Sequence, residues 1–172
     1  MKVATAIAEL LRDSGITTAF VISGGASLHL IHGIDETDGI SYVCPQTEQS
    51  AGYAADAYAR VTGLGCAIAT SGPGATNLIT PLAASYYDSI PVIYITGQVT
   101  RARMTNGSGV RQTGFQETPI VRMVKPVTKH AETVMQAEFV LPAIRNAIGI
   151  ARSGRKGPVL IDIPDDIQRA DI

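Results

Sequence analysis

The chain has no tryptophan, only two cysteines, and few charges, whose signs nearly cancel to a formal net charge of -1. Near-neutrality removes the electrostatic footprint of a nucleic-acid binder, and no acidic tail is present. Cys44 and Cys66 lie near the ends of separate apolar runs, which suits buried thiols in a reducing, cytoplasmic setting better than a disulfide framework or a metal site. No apolar run approaches the roughly 20 residues that a membrane span needs. The opening "MKVATAIAELLRDSG" carries Glu9, Arg12 and Asp13 within its apolar spacing, so it reads as an amphipathic helix and not a secretion signal. The P-loop pattern G-x-x-x-x-G-K-[ST] and the nucleophile elbow G-x-S-x-G are both missing, and neither cysteine has a basic neighbour in sequence to activate it. His29, His32 and His130 are scattered without metal-ligand spacing.

What is present is a regular alternation. At 172 residues, 45% of them hydrophobic, the chain is long enough for one domain with a proper core. Residues 5–14 predict a helix stopped at Gly15, followed by the strand "TAFVIS" and the turn "GGAS". A helix over 27–36, the strand "ISYVC", a helix over 47–62 halted by Gly63, and the strand "GCAIATS" come next. A helix over 75–87 and the strand "PVIYITG" continue the pattern. The polar stretch from Gln98 to Pro119 reads as a long mobile loop carrying Arg101, Arg103 and Arg111. "KPVTKHA" then reads as a strand, 138–152 as a helix with Pro142 tolerated in its first turn, and "GPVLIDIP" as the last strand. Strands apolar on both faces and joined by helices imply a doubly wound α/β fold: a six-stranded parallel sheet with helices on both faces, in flavodoxin-like layers. The domain is expected to span 1–165, with 166–172 a tail or the start of a linker.

Ligands of open parallel sheets gather at the carboxyl ends of the strands. Here those loops are "SGGAS", "CPQTEQ", "TSGPGATN" and "TGQVTR", three of them rich in glycine and small polar residues that let a ligand approach the backbone. "SGPGATN" fails the dinucleotide fingerprint, because Asn77 stands at the third glycine and the next strand lacks the ribose-binding acid. Glu48 opens a helix on the same rim. An acid there is favoured simply by the helix dipole, yet the helix that follows, "SAGYAADAYA", is small enough to pack closely on a neighbour and desolvate the carboxyl, which would raise its pKa and let it share a proton with a ring nitrogen.

Together, "GGAS" at 24–27, "EQSAGYAADAYARVTG" at 48–63, "ATSGPGATNLIT" at 69–80, "DSIPVIYITGQV" at 88–99, "FQETP" at 115–119 and "GPVLIDIPDDIQ" at 157–168 resemble the pyrimidine-binding (Pyr) domain of thiamine-diphosphate enzymes, in the acetolactate synthase-like branch. The resemblance runs nearly end to end. It implies that Glu48 bonds the aminopyrimidine ring nitrogen of thiamine diphosphate and promotes the tautomer that takes the proton from the thiazolium carbon. The cofactor then carries the decarboxylation of a 2-keto acid. Pro73 and Asn77 are implied to line the pyrimidine pocket, Gly24, Gly25 and Ala26 the cofactor's substrate side, and Phe115 and Gln116 the region where substrate meets cofactor, with Gln116 grouped with Glu48 as catalytic.

The chain departs from that pattern at Thr47, where acetolactate synthases usually carry a histidine, and in "TNGSGVRQTG", longer than the family's usual turn. Both changes fall near the substrate. No Gly-Asp-Gly occurs in the chain. The resemblance therefore implies that the diphosphate and its Mg2+ are held by a partner, the diphosphate-binding (PP) subunit or domain. That partner would be a separate chain in a hetero-oligomer such as α2β2, or part of a longer polypeptide. No metal ligand and no FAD are expected in this chain. The expected function is half of a 2-keto acid decarboxylase or carboligase. Alternatives are the small subunit of a split simple decarboxylase resembling sulfopyruvate decarboxylase, and a non-catalytic regulatory module of the same fold.

Overall fold

The computed structural model describes residues 1–172. Its elements run α1 Val3–Asp13, β1 Thr18–Val21, α2 Leu28–Asp35, β2 Ser41–Val43, α3 Glu48–Thr62, β3 Gly65–Ala69, α4 Pro73–Asn77, α5 Ile79–Asp88 and β4 Val92–Gln98, then α6 Ile120–Val124, β5 His130–Thr133, α7 Val140–Arg152, β6 Val159–Pro164 and α8 Asp165–Gln168. The strands form one six-stranded sheet in the order β2-β1-β3-β4-β6-β5. Every pairing is parallel. The expected doubly wound sheet is therefore present.

Two apolar layers cover it. On one face Val3, Ile7 and Leu11 of α1, Leu30 and Ile34 of α2, and Ile144 and Ile148 of α7 pack over the sheet. On the other, Ala55 and Ala59 of α3, Leu82 of α5, and Ile120 and Val124 of α6 pack against Ala67, Tyr94 and Leu160. Strands β3, β4 and β6 are buried throughout, as a parallel sheet covered on both sides requires. Alanine side chains let α3 lie close to the sheet, and a buried polar knot fastens it: the Asp56 carboxylate accepts from Ser85 Oγ at 2.7 Å and pairs with Arg60 Nε at 2.7 Å, while Ser85 Oγ lies 3.1 Å from Tyr94 Oη.

Several expectations change. Residues 75–87 are not one helix: the ring of Pro81 supplies no N–H for the preceding turn, and the chain breaks at Leu78 between α4 and α5. "KPVTKHA" is not a strand along its length. Lys125–Val127 is a 3-10 turn continuing α6, and the strand begins at His130. Edge strand β2 is exposed at all three residues and β5 is only half-buried, so not every strand is apolar on both faces. Cys44, just past β2, is accordingly exposed, whereas Cys66 in β3 is buried. The stretch 98–119 is held in place and is not a free loop. Arg101–Arg103 forms a 3-10 turn, and Glu117 accepts from the backbone N–H of Thr105 at 2.6 Å and of Thr113 at 3.0 Å. Residues 165–171 also pack on the domain, with Ile167 and Gln168 buried and Asp171 bridged to Lys2.

No helix of the chain is long and apolar enough to cross a membrane.

Candidate functional site

Strands β1 and β3 are neighbours whose outgoing connections run in opposite directions, which opens a crevice beyond their carboxyl ends. The loops there are tied together. Thr70 Oγ1 accepts from the Ala26 N–H at 3.1 Å, and Gln168 Nε2 donates to Ala26 O at 2.7 Å. The 24–27 turn crosses directly over the end of β4, where a Cβ on Gly97 would stand 1.7 Å from Ala26 O. Only glycine permits that approach. After β3 the chain turns through Gly72 at φ +61, and a Cβ there would lie 2.7 Å from Gln116 Cβ, so the FQET segment rests on this turn. Gln116 is itself held at φ 63, a conformation strained for a side chain of its kind and maintained by its surroundings.

Glu48 does not cap its helix. Thr47 does, with its Oγ1 accepting from the Ser50 N–H at 3.1 Å. The glutamate is thereby free to face the crevice as the first helical residue. Asn77, at the end of α4, donates from Nδ2 to Glu48 Oε2 at 2.9 Å, which fixes the carboxylate's orientation. Oε1 makes no hydrogen bond within the chain and lies 3.4 Å from where a Cβ on Gly74 would be. Gly74 and Pro73 form the start of α4 beside it. The half-buried carboxyl therefore has one oxygen held and one available at a glycine-lined rim, a geometry that fits a flat ring presenting a polar nitrogen.

The other predicted residues form a second group, except Gly24, which lies against the Thr70 side chain. Gly25, Ala26, Phe115 and Gln116 line a cavity of about 380 Å³ together with Ser71 and Arg103. Phe115 is 82% exposed, an apolar ring projecting from the rim with nothing in this chain to cover it. In the chain Ser71, which lines this cavity, and Gly72, which packs on Gln116, lead directly into α4, where Gly74 lies beside Glu48 Oε1. No group of three or more His, Cys, Asp or Glu side chains is arranged to hold a metal ion.

Sequence reasoning passed over a buried acid. Asp162, 1% exposed in the middle of β6, accepts from Thr96 Oγ1 at 2.7 Å, Gln98 Nε2 at 3.1 Å and Thr133 Oγ1 at 3.1 Å. Burial pushes its carboxyl up to about 6, and these three donors hold the shift back. The available signal was an acid inside the otherwise apolar "VLIDIP". Thr70, which ties the two loops, was likewise not singled out.

The family described as "Thiamine pyrophosphate enzyme, N-terminal TPP binding domain" matches residues 1–123. The chain belongs to this family. Among curated relatives, it is 46% identical over 164 residues to acetolactate synthase 2, chloroplastic, of Nicotiana tabacum, covering 95% of this chain and 24% of that protein. It is 44% identical to the Arabidopsis thaliana acetolactate synthase, chloroplastic, over 98% of this chain and 24% of that one. Against the acetolactate synthase large subunit of Corynebacterium glutamicum the identity is 43%, over 100% of this chain and 27% of the relative. The chain thus spans about a quarter of the length of the curated relatives it matches, and is an acetolactate synthase-like N-terminal domain of the thiamine pyrophosphate family.

Proposed function

We propose that this domain supplies the pyrimidine-binding half of a thiamine-diphosphate-dependent 2-keto acid decarboxylase or carboligase, a lyase or transferase completed by a diphosphate-binding domain or subunit. The observation that carries the reading is the Glu48 carboxylate, held through Oε2 by Asn77 with Oε1 unpaired at the rim. Glu48 would hold the aminopyrimidine ring nitrogen through Oε1 and keep or return a proton there. Asn77 fixes the direction of that hydrogen bond, and Pro73 and Gly74 leave room for the ring. The thiazolium of the cofactor, when bound, supplies the carbon nucleophile and electron sink for decarboxylation.

Gly24, Gly25 and Ala26 offer backbone on the substrate side, with Phe115 and Gln116 opposite. Phe115 and the exposed face of α3, including Tyr53 and Val61, provide apolar surface for the partner, which excludes water from Glu48 on docking. The partner would hold the diphosphate and Mg2+, and this chain would bind no FAD. Whether the partner is a separate subunit of a hetero-oligomer or part of the same polypeptide, the division of labour is the same. The two unpaired thiols suit a reducing, cytoplasmic setting.

Glu48→Gln in the complete enzyme is expected to lower turnover by about 100-fold or more while leaving folding and assembly intact. Activity surviving within a few-fold overturns the assignment. Titration of the isolated chain with thiamine diphosphate and Mg2+ is expected to show no tight binding, and micromolar binding contradicts the half-site.

A further inference from the structure

The start of α1, the middle of α2 and the end of α8 meet around a cavity of about 500 Å³ that shares no lining residue with the crevice cavity. Gly33 makes the meeting possible. A Cβ there would stand 2.5 Å from Ala4 O and 2.9 Å from Thr5 N, so α2 rests directly on the first turn of α1 and brings His29 and His32 to the same cavity. Arg169 joins them from just past α8.

Several polar groups at this cavity have no partner in the chain. The helix α1 starts without a side-chain cap at Lys2 and without an acid in its first turn. The Val3 N–H donates to Ala170 O at 2.9 Å and the Ala6 N–H to Lys2 O at 3.1 Å, but the N–H groups of Ala4 and Thr5 have no acceptor. An 11-residue helix with free amides and no acid carries positive charge at that end. Gln168, which also lines the cavity, is fully buried. Its Nε2 donates to Ala26 O at 2.7 Å and to Ile163 O at 2.8 Å, which fixes the amide's orientation and leaves Oε1 unpaired. No other buried side-chain nitrogen or oxygen of the chain lacks a hydrogen bond. A native structure tolerates such an atom only at a cost, which a ligand donor would remove.

The charged side chains are loosely held. Lys2 Nζ donates to Asp171 Oδ2 at 2.8 Å. His29 Nε2 and Arg169 Nη2 stand 3.6 Å and 3.4 Å from Asp165, and His32 Nε2 stands 3.3 Å from Glu36, none of them in a hydrogen bond. Their donors are open to an incoming anion.

We propose that this cavity binds a small phosphate monoester that also carries a hydroxyl group. The phosphate takes the free amides of Ala4 and Thr5 together with His32 and Arg169, donors from three elements that suit a tetrahedral oxyanion better than a flat carboxylate. The hydroxyl donates to Gln168 Oε1, the one buried acceptor left open. A bare cation is opposed by Lys2, Arg169 and the α1 amides, and an apolar ligand would leave all of these groups unpaired. The site stands apart from the function proposed above and does not depend on it.

The test is calorimetry on the complete enzyme, saturated with thiamine diphosphate and Mg2+ so that no probe enters a diphosphate site. Glycerol 3-phosphate is the probe, methyl phosphate supplies the same charge without a free hydroxyl, and glycerol supplies the hydroxyls without charge. Glycerol 3-phosphate is expected to bind saturably and about tenfold more tightly than methyl phosphate, with no binding of glycerol. Arg169→Gln and His32→Gln, both at exposed side chains, should each weaken the two esters alike by about five- to tenfold. Gln168→Met should leave methyl phosphate within twofold of wild type and cancel the advantage of glycerol 3-phosphate.

Absence of saturable glycerol 3-phosphate binding at millimolar concentration overturns the proposal. Equal wild-type affinity for the two esters also overturns it, as does binding that neither Arg169→Gln nor His32→Gln weakens. If Gln168→Met does not fold, the two exposed variants and the comparison of esters on wild type decide the matter.

Discussion

Replacing Asp162 by asparagine is expected to remove a pH dependence of stability that this one side chain creates. The carboxyl is buried and its pKa is raised from 3.8 to about 6, so between those values the folded chain holds the proton more tightly than the unfolded chain does. Stability therefore falls as pH rises through that window, and the penalty is complete above it. The difference of about two pH units corresponds to on the order of 3 kcal/mol. Asparagine keeps an oxygen to accept from Thr96, but turns an N–H toward the Gln98 amide, losing relative to the protonated acid a neutral hydrogen bond worth about 1 kcal/mol. At neutral pH relief of the charge penalty outweighs that loss, and the variant is the more stable. At pH 4, where the wild-type acid is close to neutral, the variant is the less stable. Urea unfolding of both proteins at pH 4 and 7 gives a difference of differences in which every other titrating group drops out. The expected value is about 2–3 kcal/mol, with wild type losing more on going to pH 7. Equal pH dependence in the two proteins refutes the reasoning.

Three further outcomes are expected. Gly97→Ala should prevent the native arrangement of the 24–27 turn, because its Cβ would stand 1.7 Å from Ala26 O; a protein that melts within a degree or two of wild type would contradict that reading. Thr47→Ala should lower stability by about 1 kcal/mol through loss of the α3 cap, measured as a drop in the urea midpoint, and no change would mean that the Ser50 bond contributes nothing. Partial burial works against the charged form of Glu117, but hydrogen bonds from the backbone of Thr105 and Thr113 outweigh it and hold its pKa below the usual carboxylate value. Glu117→Ala should accordingly speed amide exchange of Thr105 and Thr113 by about tenfold or more, whereas unchanged protection would show that other contacts order the segment.

The central layers were legible because their signal is local. The apolar runs of β3, β4 and β6 and the alanine-rich α3 report burial directly, and Gly63 at φ +89 ends α3 where a left-handed cap is needed. The periphery was not. Pairing with β6 alone makes "HAET" a strand, and five residues with Ile120 and Val124 buried make α6, so neither offers enough repeats for a period to show. The 98–119 stretch looked mobile because it is polar, but the bonds that order it come from Glu117 and Asp166, the latter 65 residues away from Arg101 in sequence. Cys44 ends the run "ISYVC" and looked buried, although Ser41–Val43 of that run is an uncovered sheet edge. At the site, strand-end position alone directed attention to Glu48 and the glycine turns. The division of roles between Thr47 as cap and Glu48 as crevice acid needed side-chain geometry.

In the proposed function Glu48 would hold and move a proton at the cofactor's pyrimidine ring, and the cofactor would supply the reactive thiazolium carbon. Hydrogen–deuterium exchange at that carbon, followed by quenched-flow NMR on the complete enzyme with thiamine diphosphate bound, reads this step alone. Wild type is expected to exchange about 100-fold or more faster than Glu48→Gln at equal cofactor occupancy. Exchange rates within a few-fold of each other, with the cofactor still bound, would contradict the account.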